Sequence, residues 1–162
     1  MPVVLARVDQ RLLHGITVNQ WNSVLKPKRF MVVDDLLSQD EAVKATMKMS
    51  KPAGTGLSVI SREKAIENFR QGNYDGQKVF LLVKEPSIIL DLIHAGIDIP
   101  AVNVGMVFLE DGRIAVTDRV ALSGEELRDL RAIRENGIPV SFQYTPGNAP
   151  VELEDAVRDK KL

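Results

Sequence analysis

The chain contains no cysteine among its 162 residues, which excludes disulfides, thiolate metal sites and cysteine nucleophiles. Aromatic residues are scarce at 5%, with one Trp and two Tyr, and nowhere do they interleave with a basic stripe. Nucleic-acid binding is therefore not expected. Charge of one sign is missing too: 21 basic residues face 22 acidic ones, mixed along the chain, for a net charge of −1. No apolar run approaches the roughly 20 residues that a membrane span needs. The start, Met1 to Arg7, reaches charge too soon for a signal peptide, so the expected location is the cytoplasm, with no direct membrane insertion. Neither a G-x-x-x-x-G-K-S/T nor a G-x-G-x-x-G pattern occurs, so no nucleotide cofactor is expected. Histidine is rare as well, and only His14 and His94 are present.

What is present follows a regular rhythm. Strand-type runs at 3–8, 28–33, 56–60, 79–83, 101–104 and 140–144 alternate with amphipathic helical stretches. The run Val79 to Val83 is wholly apolar, as a central strand buried on both faces should be. Helix starts are marked by Ser38-Gln-Asp-Glu41, by Ser61, by Pro86 and by Ser123-Gly-Glu-Glu126. Thr17 is read as the N-cap of a helix to Leu25, with Trp21 on its buried side. Val107 to Val116 reads as a hairpin turning at Asp111-Gly112, and Val151 to about Lys160 as a last short helix. Such alternation predicts one α/β domain over residues 1–162. Its sheet is open and mostly parallel, with helices on both faces and a hairpin or strand extension towards the C-terminus.

In sheets of this kind ligands bind at the carboxyl ends of strands. The loop after the first strand, Arg7-Val-Asp9-Gln-Arg11-Leu-Leu13-His14-Gly15, lies there and runs into a helix start. An imidazole with a pKa of about 6.5 is a good nucleophile near neutral pH. Two arginines offer forked donors and permanent charge for phosphoryl oxygens. The glycine leaves room for a tetrahedral anion, and free N–H groups at the helix start would add donors. These residue types point to a histidine that accepts and donates phosphate, without a metal. A satisfied loop histidine is the plain alternative, and two others remain: a non-catalytic adaptor of the same fold docking through the His14 face, and a hydrolase or isomerase using His14 with Asp9 as general base. His94, before Gly96 at a helix end, reads as a dipole cap. Asp34-Asp35 reads as a turn rather than a receiver-type metal site, because the Val79–Val83 strand ends in Lys84-Glu85. Met47 and Met49 read as core or interface packing.

The N-terminal motif, with Trp21 seven residues beyond His14, resembles the IIB component of the mannose/fructose/sorbose family of the bacterial sugar phosphotransferase system. The resemblance continues through Val33-Asp34-Asp35, Met49-Ser-Lys-Pro52, Val102-Asn103-Val104-Gly105-Met106 and Gly137-Ile-Pro-Val140. It implies an open α/β fold and a protein-phosphohistidine–sugar phosphotransferase. His14 would take phosphate on Nδ1 from a phosphorylated IIA protein or domain. It would pass the group to a sugar entering through IIC/IID membrane components, which would recruit the chain to the inner face of the membrane. Arg7 and Arg11 would hold phosphoryl oxygens together with the amides of Leu13, Gly15, Ile16 and Thr17, and Asp9 would orient an arginine or the imidazole. The family reads His-Gly-Gln-Val where this chain has His14-Gly15-Ile16-Thr17, so a glutamine amide is missing beside the histidine.

Overall fold

The computed structural model describes residues 2–162. Strand β1 (Val3–Asp9) is followed by a π-helical segment, Ile16–Trp21, that runs directly into α1 (Asn22–Leu25). Then come β2 (Arg29–Val33), a 3-10 turn at Leu37–Gln39, α2 (Glu41–Ser50), β3 (Gly56–Ile60), α3 (Arg62–Arg70), β4 (Val79–Val83) and α4 (Pro86–His94). The second half holds β5 (Val102–Met106), β6 (Ile114–Ala115), β7 (Ala121–Leu122), α5 (Gly124–Glu135), β8 (Val140–Phe142), β9 (Val151–Glu152) and α6 (Leu153–Val157). Seven strands form one sheet in the order β3-β2-β4-β1-β5-β8-β9. All its pairs are parallel except β8–β9, so the sheet is open and mostly parallel, as the strand–helix rhythm predicts.

β1 sits at the reversal of strand order. The chain first moves from β1 outward to β2 and β3, then returns through β4 to β5 and β8 on the other side. Right-handed crossovers send the connections of those two directions to opposite faces. Two apolar layers result. On one face Leu5, Leu12, Trp21, Phe30, Val32, Phe80 and Leu82 pack together, with Leu25, Leu37 and Met47 against them. On the other, α3, α4, α5 and α6 bury Ala65, Ile89, Leu92, Leu130, Ile133 and Leu153 against Val8, Val83 and Val104. Each large side chain buried this way contributes on the order of 1.5–3 kcal/mol.

Local chemistry explains the ends of the elements. Ser61 accepts the Lys64 N–H, Pro86 opens α4, and Ser123 with Glu126 forms a complete capping box. Three expectations need correction. α2 is capped by Asp40, whose carboxylate accepts the Val43 N–H, while Ser38 donates its hydroxyl to the Asp35 carbonyl inside the preceding 3-10 turn. Asp40 directly precedes the helix, so its carboxylate accepts the N–H of the third helical residue, as an N-cap does. The hairpin is displaced: Ile114–Ala115 pairs with Ala121–Leu122, because Val107 leaves β5 already bonded to Arg119 and Ala121, and Thr117 Oγ1 closes the turn onto Arg119 and Val120. Asp111-Gly112 is still a turn, with Gly112 at φ +85°. The C-terminal helix shortens to Leu153–Val157, since Val151–Glu152 joins β8 as an antiparallel edge strand. Met47 packs against the core, whereas Met49 is exposed. No helix is long and apolar enough to cross a membrane among the described residues.

Candidate functional site

β1 ends at a bulge. Val8 pairs with Val104 but Asp9 pairs with Met106, so Gly105 is the extra residue of β5. Bulges re-aim side chains, and this one stands where β1 gives way to the His14 loop. Asp9 is fully buried there and its carboxylate takes three donors. Oδ1 accepts the Arg11 backbone N–H at 2.9 Å, which folds the loop into an Asx-type turn. Oδ2 meets Arg7 Nε at 3.1 Å and His14 Nε2 at 2.9 Å. A carboxylate paired with a guanidinium only accepts, so Nε2 carries the proton and in the neutral ring Nδ1 keeps the lone pair. Nδ1 has no hydrogen-bond partner among the described residues and is not one of the buried polar atoms left without one. The ring is otherwise largely enclosed, with 6% of the side chain exposed. Gly15 borders it, and a Cβ there would meet nothing within 4 Å.

Arg7 stands apart from the role that sequence gave it. It is fully buried, and its guanidinium donates to Asp9, to Asn103 Oδ1, to the Gln143 carbonyl at 2.9 Å and to the Tyr144 carbonyl at 2.9 Å. Its Cζ lies 5.1 Å from the centre of the Trp21 ring. Burial pulls the guanidinium below its ordinary pKa, opposed by the charge of Asp9 and the hydrogen bond to it. With four hydrogen bonds made inside the protein and no surface exposed, Arg7 is not placed to receive phosphoryl oxygens. It braces Asp9 instead. Arg11 is the contrary case: its side chain is exposed and makes no hydrogen bond or ion pair among the described residues. Asn103 turns its oxygen to Arg7 and leaves Nδ2 buried without a partner.

The start of the helical segment also differs from expectation. Thr17 is not the N-cap; Gly15 holds that position, with helical backbone and no side-chain cap. Thr17 is buried inside the first turn, where its hydroxyl accepts the His14 N–H at 3.0 Å and donates to the Leu12 carbonyl at 2.7 Å. The amides of Gly15, Ile16 and Thr17 donate to no protein group among the described residues, whereas the Val18 N–H returns to the His14 carbonyl at 2.9 Å. Ile16 and Leu13 pack against the apolar layer that holds Trp21. His94 is exposed in the last turn of α4, remote in sequence and element from this loop. Asp34 Oδ1 accepts the N–H groups of Leu36 and Leu37, a turn, and the described residues contain no cluster of three side chains able to hold a metal. Sequence reasoning missed the carbonyls of Gln143 and Tyr144, which carry no residue-type signal. It placed Asn103 and Gly105 only within a resembling segment.

Residues 3–162 match the family model described as the PTS system sorbose subfamily IIB component. The chain belongs to that family. It is 30% identical to the fructose-specific EIIB component of Bacillus subtilis (strain 168), over 98% of both chains. Its fold superposes on the IIBSor domain of the sorbose permease from Klebsiella pneumoniae with a TM-score of 0.94 at 25% identity, covering 100% of this chain and 99% of that one. It is also 26% identical to the mannose-specific EIIAB component of Escherichia coli (strain K12), matching 97% of this chain and 49% of that longer protein. The protein is thus a IIB component of the sorbose/mannose type, a class of phosphotransferases belonging to a sugar transport system.

Proposed function

We propose that residues 1–162 act as one IIB domain in which His14 Nδ1 receives a phosphoryl group from a phosphohistidine on a IIA partner and passes it to a sugar. The single observation that carries this reading is the 2.9 Å contact between His14 Nε2 and the buried Asp9, which leaves the lone pair on Nδ1. In the first step the Nδ1–P bond forms as the donor's N–P bond breaks. The Nε2 proton stays in place, and Asp9 offsets the positive charge that the phosphorylated ring acquires. Transfer between two imidazoles changes little in bond type, so the site needs positioning and charge stabilisation more than tight phosphate binding. The Gly15, Ile16 and Thr17 amides and the free Arg11 guanidinium supply donors to the phosphoryl oxygens. In the second step the Nδ1–P bond breaks as a sugar hydroxyl oxygen binds phosphorus; the hydroxyl proton leaves to solvent water, and the imidazole returns to its neutral Nε2–H form.

The partners follow from the same reading. A IIA donor is supported by the name of the E. coli mannose relative, in which A and B components share one chain. The sugar would be presented by IIC/IID membrane components, with this chain on the cytoplasmic side and drawn to the membrane by them. The test is direct. Incubation of the protein with phosphorylated IIA should add one acid-labile, base-stable phosphoryl group by intact mass. His14→Ala should abolish it and His94→Ala should not; label retained in His14→Ala overturns the assignment.

A further inference from the structure

We propose that Thr17 is the positioning residue for His14, its buried hydroxyl fixing the loop main chain so that the imidazole reaches Asp9 with Nδ1 outward. This rests on His14 being the phosphoryl acceptor. The hydroxyl spans the turn that carries His14: it accepts the His14 N–H at 3.0 Å and gives its one proton to the Leu12 carbonyl at 2.7 Å, the shorter of its two carbonyl contacts. Leu12 sits at φ +54°, a left-handed conformation that a leucine adopts only when its surroundings compel it. Its N–H bonds to the Asp9 carbonyl at 3.0 Å, so the bond to Thr17 fastens the other end of the same strained residue.

Thr17 is completely shielded from water, so no solvent competes for these bonds. Its β-branched side chain is also stiff about χ1 and holds the hydroxyl in one direction. Two anchors therefore define the imidazole plane, Thr17 on the main chain and Asp9 on Nε2. Without the hydroxyl, the His14 main chain keeps only the bond from the Val18 N–H. A second consequence concerns the donors. The His14 N–H is already spent on Thr17, so the phosphoryl group meets the amides of residues 15–17 and not that of the histidine itself.

Thr17→Val keeps the shape and deletes the hydroxyl, and Thr17→Ser keeps the hydroxyl. In the full-length protein, the His14 Nε2–H proton signal in NMR and the transfer rate from phosphorylated IIA are measured for both. Thr17→Val should broaden or lose the Nε2–H signal and lower kcat at least tenfold, with KM for the donor within twofold. Thr17→Ser should restore the signal and bring kcat within threefold of the parent. A wild-type signal and rate in Thr17→Val, or a Thr17→Ser variant as slow as Thr17→Val, overturns the proposal. Should Thr17→Val not fold, amide hydrogen exchange of the unaltered protein decides: the His14 N–H should exchange at least a hundredfold more slowly than those of Gly15 and Ile16, and equal rates overturn it. If no phosphate is accepted by the unaltered protein, yet the Nε2–H signal is lost in Thr17→Val and recovered in Thr17→Ser, the positioning stands and the phosphotransfer reading fails.

Discussion

The Arg7 guanidinium occupies the space that any side chain at Gly105 would need: a Cβ built on Gly105 would overlap it. The bulge of β5 thus creates the slot in which Arg7 lies against Asn103 and braces Asp9. Gly105→Ala should push the guanidinium off Asp9. Overpacking of this kind costs about 1–3 kcal/mol. A lowered urea midpoint together with slower phosphate acceptance is the expected result, and an unchanged midpoint would mean that Arg7 has room to spare.

The two arginines should separate cleanly. Removing Arg7 leaves Asp9 buried without its cationic partner, a change worth about 3–5 kcal/mol. Arg7→Ala should therefore unfold at much lower denaturant. Arg11→Ala should change the unfolding free energy by no more than about 0.5 kcal/mol, the usual range for an exposed side chain away from special features. It should still slow phosphotransfer, up to roughly a hundredfold if it acts as one charge-stabilising donor does elsewhere. Denaturation curves and initial rates on both variants make the comparison.

Ile16 packs against the Trp21 layer. Ile16→Gln should accordingly cost about 1–3 kcal/mol by burying an amide beside that layer, and leave the rate unchanged. A faster reaction at an unaltered midpoint would show that the amide reaches the phosphate.

Glu126 gives a pH signature distant from the site. Burial pushes its carboxyl up, but the hydrogen bonds from Arg113 and the Ser123 N–H outweigh this and hold it below its usual value of 4.5. A lowered folded value means stability present at neutral pH and lost as pH falls below 4.5 through the folded value. Glu126→Gln should be less stable than the parent at pH 7, and the gap should close as acidification carries the parent through the lowered folded value. A constant gap from pH 7 to 3 would contradict the ionised role.

How much was legible beforehand depended on whether residue type or geometry carried the information. The parallel sheet was legible because Val79–Val83 is apolar throughout and because Ser61, Pro86 and Ser123 mark helix starts by chemistry that needs no tertiary context. The loop holding His14 was legible for the same reason: its place after a first strand follows from the strand rhythm. The role of Arg7 was not, since an arginine on a strand looks the same whether it points to solvent or into a slot made by a glycine 98 positions later. Thr17 was misassigned because a threonine before an apolar helical run is a common cap; its hydroxyl faces back to Leu12 and His14 instead. The hairpin partner depended on Val107 already being bonded to Arg119 and Ala121, a tertiary fact.

Asp9 reserves Nε2 of His14, and in the proposed reaction Nδ1 carries the phosphate. Nitrogen-15 and phosphorus-31 NMR of the protein labelled at histidine, recorded after phosphorylation by IIA, reads the bonded ring nitrogen directly. A single phosphorus–nitrogen coupling to Nδ1 of His14 is expected, with a proton retained on Nε2. Coupling to Nε2, or to either nitrogen of His94, would contradict it.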